Sequence, residues 1–271
     1  MHSHENLSDE LLEDKLLEHE YHLLSDNFKL IPASQRDSQF STSLSQLLQH
    51  EHCEKLLYQL TPVIHSPSIK VTASLLSKRY AFLVTASSLY AMSVFDKGLN
   101  FSYKNCFVDF CYHQKLWRSK MPLQDLTVTM PNNNISSNRQ QWREQIISQI
   151  FANNLALFWQ VLVDVTNIHP RILWENTAVR VYSLYEKKMP KLCKDTEKKI
   201  QEDFIYLTEQ AGPEVFGIDY NPLKKYNFKK VSLSTQEQPI RFRKSCCFYY
   251  KATDPFEYCS NCPLVRAVVV N

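Results

Sequence analysis

Arg243-Lys244-Ser245-Cys246-Cys247 and, eleven residues after the cysteine pair, Cys259-Ser260-Asn261-Cys262-Pro263-Leu264 place four of the chain's eight cysteines within seventeen residues. Four thiolates at that range suit zinc, an iron-sulfur cluster or two disulfides. Structural zinc sites usually present two separated pairs, each spaced so that one turn aims both sulfurs at a single tetrahedral ion. Adjacent residues serve that geometry poorly. Their side chains diverge, by alternation in a strand and by about 100° in a helix, so Cys246 and Cys247 reach more naturally toward two metal atoms. A [2Fe-2S] rhomb, with two cysteines on each iron, offers such a pair. The spacing favours an iron-sulfur cluster, with structural zinc as the alternative and disulfides third.

Composition removes other functions. The 271 residues are enough for one large domain or two. Glycine occurs only at Gly98, Gly212 and Gly217, so neither a phosphate-cradling loop nor a dinucleotide fingerprint is present. A formal net charge of +3 falls far short of the basic stripe of a nucleic-acid binder. Met1-His2-Ser3-His4-Glu5 is polar and runs into an acidic helical pattern, unlike a secretory signal. The charge-free runs Tyr80 to Phe95 and Gln145 to Val163 are broken by Ser, Thr, Asn and Gln and read as buried helices rather than transmembrane segments. These features imply a cytoplasmic chain, where a reducing environment directs thiols to metal rather than to disulfides.

Along the chain, leucines at 7, 11, 12, 16, 17, 23 and 24 predict a helix over 7–24. His19 and His22 share its face but lack a third ligand, so they read as solvated. Residues 25–40 read as a polar linker and 43–60 as a helix, in which His50 and His52 point apart. Ser66-Pro67 opens a long helix with a core stripe of Ile69, Ala73, Leu76, Tyr80 and Leu83. Tyr90, Met92 and Phe95 read as packing.

After Gly98 the pattern alternates through Phe101, Tyr103, Phe107, Val108, Phe110 and Tyr112, and again over 124–130. This predicts a small antiparallel sheet, with Cys106 and Cys111 as buried thiols. Ser137-x-x-Gln140 is a capping box for a helix carrying Trp142, Ile146, Ile147, Ile150 and Phe151. Pro170 starts the next, aligning Trp174, Ala178, Val181 and Tyr185, with Lys187, Lys188 and Lys191 around its end. A further helix over about 192–211 carries Ile200, Phe204, Leu207 and Ala211 and stops at Gly212-Pro213, with Cys193 an unliganded thiol. Ile240-Arg241-Phe242-Arg243 reads as a short strand entering the cysteine pair.

The fold class is therefore α+β and mainly α-helical: a helical body, a small antiparallel sheet and a short C-terminal cluster-binding segment. The expected divisions are an N-terminal helical region over 1–66, the body over 67–240 and the cluster segment over 241–271.

Cys246-Cys247, the long loop, Cys259-x-x-Cys262 and Pro263-Leu264 resemble the C-terminal signature of the FhuF-type ferric siderophore reductases, Cys-Cys-x10-Cys-x2-Cys, with one extra loop residue here. Leu173-Trp174-Glu175-Asn176 and Leu75-Leu76-Ser77-Lys78-Arg79-Tyr80 are also similar to that family's body. The resemblance implies an oxidoreductase with a [2Fe-2S] cluster on Cys246, Cys247, Cys259 and Cys262. Its reaction would be one-electron reduction of a bound ferric siderophore, of hydroxamate type, releasing ferrous iron in the cytoplasm. Residues 67–240 become the siderophore-binding candidate, and a ferredoxin, flavodoxin or reductase the external donor.

Hard oxygen ligands favour ferric iron, and each tenfold bias lowers a one-electron potential by about 59 mV. A low-potential cluster is thus required. All-cysteine ligation agrees, since Rieske centres substitute two histidines and no histidine follows His169. Arg241, Arg243 and Lys244 are candidates to attract an anionic chelate or an acidic donor, with an ordinary solvated basic strand as the alternative. Ser245, Ser260 and Asn261 are candidate hydrogen-bond donors around the sulfurs. A zinc-binding scaffold or an iron-sulfur redox sensor remain the alternative functions.

Overall fold

The 27-residue helix Ile69 to Phe95 is apolar or small over most of its surface, and all eleven positions from Leu83 to Ser93 are buried. A helix at the edge of a core would bury one stripe only. This one is the axis around which the others pack, so the five-residue stripe read from the sequence understates it. Several of its hydroxyls are satisfied within the helix: Thr85 bonds the Ala81 carbonyl at 2.6 Å and Ser87 that of Leu83 at 2.9 Å.

The computed structural model describes residues 14–131, 138–189, 194–232 and 238–265. In chain order these form α1 (Glu18–Phe28), β1 (Leu30–Pro32), β2 (Ser41–Ser43), α2 (Leu44–Leu47), α3 (His50–Val63) and α4 (Ile69–Phe95). The short strands β3 (Gly98–Leu99), β4 (Phe107–Asp109), β5 (Tyr112–His113), β6 (Leu116–Trp117), β7 (Met121–Leu123) and β8 (Val128–Thr129) follow. Next come α5 (Asn138–Ile150), α6 (Leu157–Thr166), α7 (Pro170–Ser183), α8 (Lys194–Ile205) and α9 (Pro222–Lys225). Three π-helical segments, Phe151–Ala156, Leu184–Lys188 and Tyr206–Gln210, continue α5, α7 and α8.

The mainly helical α+β class holds, and several details differ from the sequence reading. The first helix starts at Glu18, where the Glu20 carboxylate accepts the Leu17 amide at 2.8 Å; residues 7–13 of the expected helix lie outside the described residues. Residues 25–40 are not a linker. Phe28, Leu30 and Ile31 are buried, and β1 pairs in parallel with β7, Leu30 opposite Met121. A three-residue strand has too little pattern to announce itself, and its partner lies far along the chain. The helix expected over 43–60 breaks after α2, which Ser43 caps. Ser68, not the Ser66-Pro67 pair, caps α4.

Instead of one small sheet, the described strands form four two-stranded pairs, three antiparallel (β2 with β4, β3 with β8, β5 with β6) and one parallel. Cys106 is buried as expected, whereas Cys111 is half-exposed at the end of β4. Burial pushes the Cys53 thiol up to about 12 and raises that of Cys106 further. His19, His22, His50 and His52 are all exposed. Ser137, Lys191 and Cys193 lie outside the described residues.

The stretch Arg139–Thr166 is long and apolar enough to cross a membrane by length and composition, and 56% of its apolar window is buried inside the fold, as in a core helix. One hydrophobic core runs from Leu24 to Tyr226. Beside it the fully buried Asp203 of α8 accepts both Arg139 Nη atoms at 2.8 and 2.9 Å and Arg143 Nη1 at 3.1 Å, tying α8 to α5. Removing one member of such a group leaves uncompensated charge in the interior. Asp203→Ala is therefore expected to cost about 3–5 kcal/mol of stability in urea unfolding, with Arg143 left without its carboxylate and Arg139 held by Asp96 alone.

Candidate metal centre

Pro170 occupies the first turn of α7, where its missing amide hydrogen costs nothing, and the helix then turns Glu175 and Asn176 inward against α4. Both are buried, at 1% and 0% exposure. The Asn176 amide bonds the Ser74 carbonyl at 3.1 Å and the Ser77 hydroxyl at 2.9 Å, drawing α7 close to the small face of α4. Glu175 takes its partners from the C-terminal tail. Its Oε1 accepts the Lys244 amide and its Oε2 the Ser245 amide, each at 2.8 Å, and the Ser245 hydroxyl also bonds Oε2. Arg243, with 2% exposure, brings Nε to 4.0 Å from the same carboxylate.

These contacts deliver the cysteines. The Cys247 carbonyl accepts the Ser74 hydroxyl at 2.8 Å. The Arg243 amide bonds the Asn261 carbonyl at 3.0 Å, laying the two cysteine segments side by side, and Cys262 N bonds Cys259 O at 3.0 Å to close the Cys-x-x-Cys turn. Phe248 adopts φ 63°, a left-handed conformation unusual for a non-glycine residue, and so aims its amide at Cys246 Sγ, 3.3 Å away. Lys78 of α4 approaches Cys247 Sγ from the body, with Nζ at 3.9 Å.

The thiols lie within electrostatic reach of one another: Cys246 responds to Cys247 and Cys262, and Cys259 to Cys247 and Cys262. Cys247 Sγ and Cys259 Sγ stand 3.8 Å apart, the separation of two thiolates bound at about 2.3 Å to one tetrahedral metal. The Cys247 thiol is held well below its usual range, first by the hydrogen bond from Cys259 and then by the Lys78 and Arg243 cations; that bond raises Cys259 correspondingly. Burial raises Cys246, with the Phe248 amide opposing. Among the described residues no group of three or more His, Cys, Asp or Glu side chains converges on one point. A [2Fe-2S] rhomb asks only for two thiolates at each iron, and the donor set fits it.

The expected strand Ile240–Arg243 is reduced to a single bridge, Ile240 with Val231, because the following amides are taken by Asn261 and Glu175. The three basic residues fare differently. Arg241 forks onto Glu186 at 2.9 and 3.1 Å and lies 4.3 Å over the Tyr182 ring, and Arg243 is turned inward. Lys244 is exposed, 4.5 Å over the Phe228 ring. Of the expected sulfur donors, Ser245 is committed to Glu175, Asn261 offers its carbonyl to Arg243, and Ser260 is exposed. Glu175, Ser74, Asn176 and Lys78 were not singled out from sequence, yet the first, third and fourth fall inside the two body segments whose similarity to a known family was the only available signal, and Ser74 lies immediately before one of them.

A helical body that docks a four-cysteine tail onto two buried helices defines an iron-sulfur protein with a separate cluster segment. Residues 74–223 match the family model described as ferric iron reductase FhuF-like transporter, and residues 243–264 match the FhuF 2Fe-2S C-terminal domain. The chain belongs to this FhuF-like ferric iron reductase family, and its cofactor is a [2Fe-2S] cluster. No curated protein matches the chain. The matched stretch opens at Ser74, the residue that holds the Cys247 carbonyl.

Glu175→Ala leaves the Lys244 and Ser245 amides without their acceptor and removes the carboxylate beside Arg243, whose Nε still bonds the Ser245 carbonyl at 3.1 Å. Losing charge-assisted hydrogen bonds worth about 2 kcal/mol should speed hydrogen exchange of the 243–247 amides about thirtyfold, while exchange in the middle of α4 stays unchanged. Mass-spectrometric exchange on intact protein checks both.

Proposed function

We propose that this chain is a ferric siderophore reductase in which Cys246, Cys247, Cys259 and Cys262 hold the [2Fe-2S] cluster. One electron passes to the ferric iron of a bound hydroxamate siderophore, and ferrous iron is released in the cytoplasm. The observation that carries the reading is the docked tail: family membership names the chemistry, and the tail leaves Cys246 and Cys259 half-exposed while Cys247 and Cys262 are buried.

When bound, the cluster supplies a one-electron carrier, which is what reduction of a single ferric ion requires. The chain's own residues do the rest. Glu175 and Ser74 fix the ligand-bearing backbone to rigid helices, and the Phe248 amide and Lys78 ammonium direct positive charge at thiolate sulfurs. Cys246 and Cys259 form the edge that a chelate can approach. Lys244, exposed two residues from Cys246, favours an anionic chelate or an acidic partner there. Arg241 and Arg243 serve this surface indirectly by holding the tail. The body over 67–240 is the proposed siderophore-binding side. With only three glycines and no nucleotide loop, the chain takes its electrons from a separate ferredoxin, flavodoxin or reductase.

Serine at Cys246, Cys247, Cys259 or Cys262 should abolish or strongly alter the visible cluster spectrum, since a harder oxygen ligand replaces a thiolate. Serine at Cys53, Cys106, Cys111 or Cys193 should leave it intact. A colourless protein holding one zinc and no acid-labile sulfide would overturn the assignment.

The reaction is tested by stopped-flow mixing of the reduced protein with ferric hydroxamate, catecholate and citrate chelates while a ferrous-specific chelator reports release. Ferrous iron should appear at about one per cluster oxidised, fastest with hydroxamates. A cluster that stays reduced against the whole panel would sink the reductase reading.

A further inference from the structure

Three cations stand on the body side of the buried thiol. Lys78 Nζ is 3.9 Å from Cys247 Sγ. Arg180 of α7 is fastened beside it by a 3.2 Å bond from Nε to the Lys78 carbonyl and lies within electrostatic reach of Cys247 and Cys259. Arg243 completes the group; its Nη2 is buried with no hydrogen-bond partner. Glu175 is the carboxylate in contact with this group, and it is already occupied by the tail amides, so positive charge is in excess beside Cys247.

We infer that Lys78 is a positioning residue that sets the midpoint potential of the cluster, through the contact of its ammonium with the Cys247 sulfur. The inference rests on the reading of Cys247 as a cluster ligand. Four thiolates around a [2Fe-2S] core leave a net negative charge, and accepting an electron deepens it. Charge balance and hydrogen bonds to the sulfurs are the levers by which a protein shifts that potential. An ammonium against one sulfur stabilises the reduced form more than the oxidised one, because the added charge is spread onto the sulfur it touches. The consequence is a cluster that a one-electron donor protein can still reduce and that remains able to give the electron to a ferric chelate. Arg180 and Arg243 act behind Lys78, the first by holding its helix turn and the second by adding charge. The electron arrives from the external donor and leaves to the ferric substrate, and no proton or bond is exchanged at Lys78.

The test is a mediated redox titration of the cluster-loaded protein followed by visible absorption and by the electron paramagnetic resonance of the reduced state. Lys78→Met, close in length but uncharged, should weaken the cluster's hold on the electron about tenfold, a potential about 59 mV lower, with the oxidised spectrum retained. Lys78→Arg should restore most of that difference, which a packing role alone would not do. In parallel, native protein carrying 15N-labelled lysine side chains should show a nitrogen hyperfine coupling in the reduced state that disappears in Lys78→Arg. That measurement decides the matter if Lys78→Met fails to retain a cluster: presence of the coupling supports the inference and absence overturns it. An unchanged potential in a cluster-bearing Lys78→Met protein overturns it as well. A native protein that never assembles a cluster removes both the inference and the ligand reading beneath it, whereas a normal cluster indifferent to Lys78 removes the inference alone.

Discussion

The Glu175 carboxylate is the contact on which the site depends. A carboxylate taken out of water keeps its charge only if hydrogen bonds replace the lost hydration. Nothing on α7 itself supplies them. The tail does, with two consecutive backbone amides, a serine hydroxyl and the edge of a guanidinium. The tail depends on it in turn: Phe242 is buried and Phe248 and Tyr249 pack against the core, but among the described residues the tail has no strand partner beyond the Ile240 bridge. That buried charge fixes the tail next to α7, and the Ser74 hydroxyl on the Cys247 carbonyl brings the thiols to α4.

What receives the tail is rigid for a visible reason. The faces of α4 and α7 at this point are small and polar, Ser74 and Ser77 against Asn176, and the helices approach closely because no bulky side chain separates them. A site supported by two buried helices holds its geometry better than one borne on loops. The cysteine-bearing segment is nevertheless a separate piece of chain, folded back after α9. This division lets the helical body and the cysteine segment match separate family models while acting as one structure.

Charge is arranged on two sides of the thiols. Lys78, Arg180 and Arg243 face the buried Cys247, and the exposed Lys244 lies by Cys246. Between them the aromatic loop closes on itself, Tyr250 meeting Phe256 edge-on at 5.7 Å and stacking on Tyr258 at 5.2 Å. The body side therefore places positive charge beside the sulfurs, and the solvent side leaves Cys246 and Cys259 half-exposed.

What was legible in the sequence was local. The adjacent cysteines, the Cys-x-x-Cys turn, the start of α7 at Pro170 and the end of the α8 segment at Gly212-Pro213 depend on residues a few positions apart, whose geometry is fixed by helix and turn stereochemistry. Everything that depended on a distant partner was hidden. Residues 25–40 looked like a linker because β7, the partner of the strand within them, lies far down the chain, and Ile240–Arg243 looked like a strand because alternation cannot reveal that the Arg243 amide belongs to Asn261 and the next two to Glu175. Arg241 and Arg243 read as candidates to attract an anionic chelate or an acidic donor, or else as a solvated basic strand, since a charge in a sequence carries no sign of the carboxylate waiting for it, here Glu186 and Glu175. The sequence alone determined which atoms can bind the metals. Only the tertiary structure decided where those atoms stand and which charges surround them, because burial and long-range hydrogen bonds exist only once the chain has closed on itself.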